Sequence, residues 1–159
     1  MARCRFSIMI YELIQNIADR CWASAQQRGK ATSAAGCIAG LNTELSEYWN
    51  AVKDDRTTEY IDILHAAELE DTDFVDFYES RIHNTTTDEL ADIVLVAATW
   101  FASAKQAAGA EFDPEKSADV MLLSGALSFA ANQCEKRKDV EKLRDTVNLK
   151  MRFNELRQD

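Results

Sequence analysis

One proline, Pro114, and five glycines are spread through 159 residues, so the chain has very few of the residues that punctuate short strands and turns. Alanine, leucine, glutamate, lysine and arginine, all good helix formers, fill the space between them. The expected fold is all-α. The length suits one domain with a real core and is short for two, so residues 1–159 read as a single domain.

Apolar side chains at helical spacing mark the elements. Ile10, Leu13, Ile14, Ile17, Cys21 and Trp22 predict a first helix from about Phe6 to Gln27, ended by Gly29. A second follows Thr32 or Ser33 as N-cap, carries Cys37, Leu41, Leu45, Tyr48 and Val52 on one stripe, and stops near Asp54 and Asp55. Two acidic segments, Thr58–Leu69 and Asp73–Ile82, read as shorter helices. Thr86 with Glu89 has the spacing of a capping box, opening a long helix through Ile93, Ala97, Trp100 and Ala104 to Gly109. Asp113-Pro114-Glu115 reads as the start of another helix, reaching about Lys136, and a last one runs from about Asp139 to Arg157.

The 27 acidic and 18 basic side chains give a net charge of −9, which argues against DNA, RNA or an anionic membrane as partner. The charge is uneven: Asp54 to Asp92 holds 13 acids and two arginines, and Glu135 to Arg157 holds eight bases and five acids. An acidic middle and a basic tail could meet across a phosphate and its metals. Cys4, Cys21, Cys37 and Cys134 lack Cys-x-x-Cys spacing and lie in helical stretches, so they are expected as reduced, buried thiols. The apolar runs Ile93–Ala104 and Val120–Cys134 are too short to span a bilayer, and Phe6–Tyr11 is too short for a signal-peptide core. The expected location is cytoplasmic.

Two of the expected helices carry acidic pairs at i, i+3: Glu44 with Glu47, and Glu89 with Asp92. Such pairs stand about 60° apart on one helix face, close enough to share a cation. Pairs of this kind are common on solvated faces, but each one here borders an apolar stripe. If the two stripes pack together, four carboxylates converge at the edge of a dry core, where their repulsion demands a cation. Oxygen ligands suit Mg²⁺, with Mn²⁺ able to substitute, rather than zinc.

Gly40-Leu-Asn-Thr-Glu44-Leu-Ser-Glu47, followed by Thr87-Asp-Glu89-Leu-Ala-Asp92-Ile-Val, resembles the Glu-x-x-Glu and Glu-x-x-Asp signature of the all-α NTP pyrophosphohydrolases, MazG-like members especially. Trp22-Ala-Ser-Ala-Gln-Gln-Arg-Gly29 is similar to the segment that precedes the first motif in that family. Lys150-Met-Arg-Phe-Asn154-Glu-Leu-Arg157 resembles the family's Lys-x-x-x-Asn-x-x-Arg ending. The sequence departs from compact members at Thr43, where many have a further Glu, and in the 41 residues between Glu47 and Glu89.

The resemblance implies an oligomeric helical bundle, a homodimer or homotetramer, that cleaves a nucleoside triphosphate to the monophosphate and pyrophosphate. It implies Glu44, Glu47, Glu89 and Asp92 as metal ligands; a carboxylate not fully committed to the metal could accept the proton of the attacking water, and Glu47 is the expected one. It implies nucleotide contacts from Lys150, Asn154 and Arg157. The final helix is consistent with this, because Leu143, Val147, Lys150, Asn154 and Arg157 share one side of its wheel. The alternative for that end is a helix that leaves the body and is simply solvated. Trp22 is the best of the three tryptophans for a base pocket, although each lies on or near an apolar stripe as core aromatics do.

A di-iron carboxylate bundle is disfavoured, since it needs two Glu-x-x-His motifs and only one imperfect Asp62-x-x-His65 is present. No P-loop, dinucleotide fingerprint or nucleophile elbow occurs. A non-catalytic helical oligomerisation or nucleotide-sensing module of the same fold is the competing reading, and only turnover separates the two.

Overall fold

The computed structural model describes residues 2–117 and 119–157, and for residues 2–4 the backbone alone. These residues form seven α-helices and no strand: α1 Ala2–Gln27, α2 Ala34–Lys53, α3 Tyr60–Ala67, α4 Asp71–Arg81, α5 Thr86–Ala108, α6 Val120–Asn132 and α7 Arg137–Leu156. A short 3₁₀ turn, Gly109–Glu111, follows α5. The all-α expectation holds.

Local chemistry sets the helix ends. Ser33 caps α2, its hydroxyl accepting the Gly36 N–H at 3.1 Å. Thr85, not Thr86, caps α5 by accepting the Asp88 N–H. The helix therefore starts one residue earlier than the Thr86–Glu89 box would place it, and Glu89 is not consumed as a cap. Gly109, at φ 62°, closes α5 in a conformation that costs glycine little.

Asp113-Pro114-Glu115 does not open α6. Asp113 Oδ1 instead accepts the Glu115 N–H at 3.0 Å in a turn, and α6 begins only at Val120. α6 also ends at Asn132, short of Lys136, because Asp139 draws the next residues into the start of α7. Its Oδ2 accepts N–H groups from Glu135 at 2.9 Å and from Lys136 at 3.0 Å.

Helix α5 is the centre of the molecule and packs against α1, α2, α6 and α7. Ala91, Ile93, Val94, Ala97, Ala98 and Trp100 are each at most 1% exposed, so the helix is apolar nearly all round, as a helix enclosed by others must be. As one continuous helix with its 3₁₀ extension, Thr86–Glu111 reaches the length and apolarity of a membrane span, which the run Ile93–Ala104 alone does not. Here its apolar surface is taken up by neighbouring helices.

On α2 the buried stripe continues from Tyr48 to Ala51 rather than to Val52, which is exposed, as is Trp49. Cys21, Cys37 and Cys134 are buried free thiols, and burial pushes Cys21 up to about 12 and Cys134 up to about 11. The Cys4 side chain lies outside the described residues.

A second, smaller core joins the acidic segment to the basic tail: Ile63, Ala66, Phe74, Tyr78 and Ile82 of α3, α4 and the following turn close on Leu149 and Phe153 of α7. Polar contacts between the two segments surround it, one of them an ion pair. Arg152 donates to Asp71 at 2.8 Å and to the Leu69 carbonyl at 2.7 Å, Lys142 donates to the Thr58 carbonyl, and Tyr60 donates to Asp145. This packing fixes the start of α5 against α7.

Candidate metal centre

The two acidic pairs do converge. α2 presents Glu44 and Glu47 and the first turns of α5 present Glu89 and Asp92 to one cavity of about 480 Å³. Oxygen atoms from Glu44, Glu47 and Glu89 lie within 4.8 Å of one another. Glu89 is 3% exposed, and one oxygen each of Glu44 and Glu89 is buried with no hydrogen-bond partner. Buried carboxylate oxygens without donors are costly, and a bound cation is the usual remedy.

Electrostatics agree with the geometry. Burial, then the charge of Asp92 and the bond and charge of Glu47, push Glu44 up to about 9. Burial, followed by the charges of Asp92 and Asp88, pushes Glu89 up to about 8. Burial also raises Asp92 to about 6, with Lys150 opposing the rise and Asp88 adding to it. Burial and mutual repulsion favour the protonated forms of Glu44 and Glu89, and a divalent ion would displace those protons.

Asp88 is the residue that sequence reasoning missed. It is fully buried and saturated with donors. Tyr78 OH and Lys150 Nζ donate to its Oδ1, and the Asn84 N–H donates to its Oδ2 at 2.9 Å. His83 Nδ1 stands 3.3 Å from the same Oδ2. Burial works to raise Asp88, but the His83 bond, the Lys150 charge, Tyr78 and the Asn84 N–H more than offset it and hold the carboxyl down to about 2. Asn84 adopts φ 63°, a left-handed conformation that asparagine tolerates, which directs its N–H at the carboxylate one turn into α5. The available signal was the i, i+4 spacing of Asp88 and Asp92, which puts both on the face of α5 turned to α7.

The tail residues have different positions. Lys150 is 2% exposed and bonded to Asp88 at 3.0 Å and Asp92 at 3.1 Å. Asn154 is 6% exposed, and its side-chain carbonyl has no partner. Arg157, half-buried just past the end of α7, lines the cavity with Lys150 and Asn154. This end of the helix is therefore part of the cavity wall and not a solvated extension. Trp22 packs against the main core beside the wall residue Cys21 and does not line the cavity. Arg28 and Lys30, just past the end of α1 and neither predicted from sequence, also line it.

No protein-family model, curated protein or solved structure matches this chain.

Proposed function

We propose that the chain is a divalent-metal-dependent hydrolase of nucleoside triphosphates, releasing the monophosphate and pyrophosphate. The observation that carries the reading is the trio Glu44, Glu47 and Glu89, whose oxygens lie within 4.8 Å of one another at the rim of a cavity that also holds arginines. The donor set consists of hard carboxylate oxygens, two of them buried and unpartnered, and it fits Mg²⁺ or Mn²⁺. Bound there, the metal would screen the triphosphate and make water more acidic.

Glu44, Glu47 and Glu89 would hold the metal, with Asp92 on the same cavity, and Glu44 and Glu89 are the less exposed of the trio. Glu47 is the exposed member, and it takes the proton of the attacking water. Arg157 and Arg28 neutralise phosphate charge at the cavity wall, and Asn154 offers its amide to the sugar or phosphate. Lys150, expected from sequence to touch the nucleotide, is engaged by two aspartates. Trp22 lies off the cavity wall, so a base pocket there would need a different aromatic or apolar partner.

The same reading takes the active form as a homodimer. Ile8 of α1, Ile38, Trp49 and Val52 of α2, and Met121 of α6 are exposed apolar side chains. Pairing of two copies over such residues would bury them symmetrically.

A panel of ribo- and deoxyribonucleoside triphosphates with Mg²⁺, with products separated, tests the activity. Pyrophosphate with the matching monophosphate is the expected outcome. No product from any substrate would leave the non-catalytic module as the reading.

A further inference from the structure

Two overlapping groups of acids have the spacing to hold a cation. One is Glu44, Glu47 and Glu89, and the other is Asp88, Glu89 and Asp92. The second already contains one. Lys150 Nζ lies 3.0 Å from Asp88 Oδ1, 3.2 Å from Asp88 Oδ2 and 3.1 Å from Asp92 Oδ2, on a side chain 3% exposed.

We propose that Lys150 is a built-in cation standing where a second metal ion would otherwise sit, so that the protein without substrate holds one divalent ion per chain. The inference rests on the metal-binding part of the function proposed above and not on hydrolysis.

Three observations support it. Asp88 has no capacity left for a metal: a carboxylate offers about four lone-pair sites, and Tyr78 and Lys150 on Oδ1 with Asn84 and Lys150 on Oδ2 already occupy them. Glu44, and Glu89 which both groups share and which Lys150 does not bond, each keep a buried oxygen with no partner, so the unmet demand for positive charge lies between those two acids. The ammonium is also held in place. It sits 5.8 Å from the Tyr78 ring centre and 5.6 Å from that of Phe153, two rings that stack on each other in the second core.

A covalently attached ammonium cannot be lost to chelators or low metal concentration. It keeps Asp88 and Asp92 at fixed separation whether or not metal is present. Lys150 is then a positioning residue acting through Asp92, which differs from the nucleotide contact expected from sequence.

The test is a titration of the full-length protein with Mn²⁺ alone, with bound and free ion counted by electron paramagnetic resonance and heats by calorimetry. Wild type is expected to bind one Mn²⁺ per chain. Lys150→Met is expected to bind two, and Lys150→Met with Asp88→Asn, which removes the acid together with its counter-charge, is expected to return to one.

Two ions in wild type, or one ion with unchanged affinity in Lys150→Met, would overturn the proposal while leaving the metal reading intact. No ion in wild type would overturn both. If Lys150→Met does not fold, wild type and the double variant still decide, since two ions in either contradicts the inference.

Discussion

Glu44 on α2 and Glu89 on α5 face each other across the cavity rim with carboxylate oxygens within 4.8 Å, and each keeps one buried oxygen that no donor reaches. A protein gains nothing in stability from such a pair. Burial and proximity make the two acids costly to ionise together, and a bound cation would offset that cost.

Neutralising the acids one at a time separates binding from folding. Glu44→Gln, Glu47→Gln, Glu89→Gln and Asp92→Asn should each lower kcat/KM by about a hundredfold or more, roughly 2.7 kcal/mol of transition-state stabilisation. Glu44→Gln and Glu89→Gln should raise the melting temperature of the metal-free protein at pH values where the raised wild-type carboxyls have ionised and repel. Asp92→Asn should not, since it removes a partner of Lys150. Near-normal rates in two of the four variants would show that the acids do not act as one site.

Metal-free stability should depend on pH in a definite direction. Glu44, Glu89 and Asp92 are raised to about 9, 8 and 6 from ordinary values of 4.5, 4.5 and 3.8. The folded state therefore keeps their protons after the unfolded chain has lost them, and stability falls as pH rises through that window. Asp88 works oppositely: held at about 2, its contribution is present above 3.8 and is lost as pH falls toward 2. Denaturant midpoints should thus be higher near pH 5 than near pH 8.5, with saturating Mg²⁺ narrowing the difference. A midpoint that rises with pH in the metal-free protein would contradict the assignment.

The Asp88 clamp should dominate local stability. Asp88→Ala leaves Lys150 with one carboxylate and strands the Asn84 N–H, and should cost about 3 kcal/mol or more. Tyr78→Phe removes a single donor from the same carboxylate and should cost about 1 kcal/mol. Equal effects of the two in urea melts would mean that Lys150 is not held by charge.

Substituting the exposed α2 side chains should act on assembly. Trp49→Glu with Val52→Glu should shift the protein to a monomer by light scattering at micromolar concentration, without loss of helicity. A wild-type protein that is already monomeric would remove the dimer from the account.

The helical class, the order of the elements and the convergence of two acidic pairs were legible because each rests on periodicity within one helix. Glu44 and Glu89 follow from stripes that can be drawn on paper. Asp88 was not legible, because its meaning depends on Tyr78, His83 and Lys150, which come from three separate places in the chain and meet only when α4 and α7 pack. The wheel position of Lys150 puts it at the cavity, as expected, but its bonds to Asp88 and Asp92 were not legible, because they form only when α7 packs on α5. The start of α6 was misread because Asp113 bonds the Glu115 N–H in a local turn, a competition between turn and cap that residue type alone cannot decide.

The most direct measurement of the central claim is product analysis after incubating the protein and a nucleoside triphosphate with Mg²⁺, resolving mono- and diphosphate nucleotides, phosphate and pyrophosphate. The account predicts equal amounts of nucleoside monophosphate and pyrophosphate, abolished by chelator and by Glu89→Gln. Nucleoside diphosphate with inorganic phosphate, or turnover that persists after the metal is removed, would contradict it.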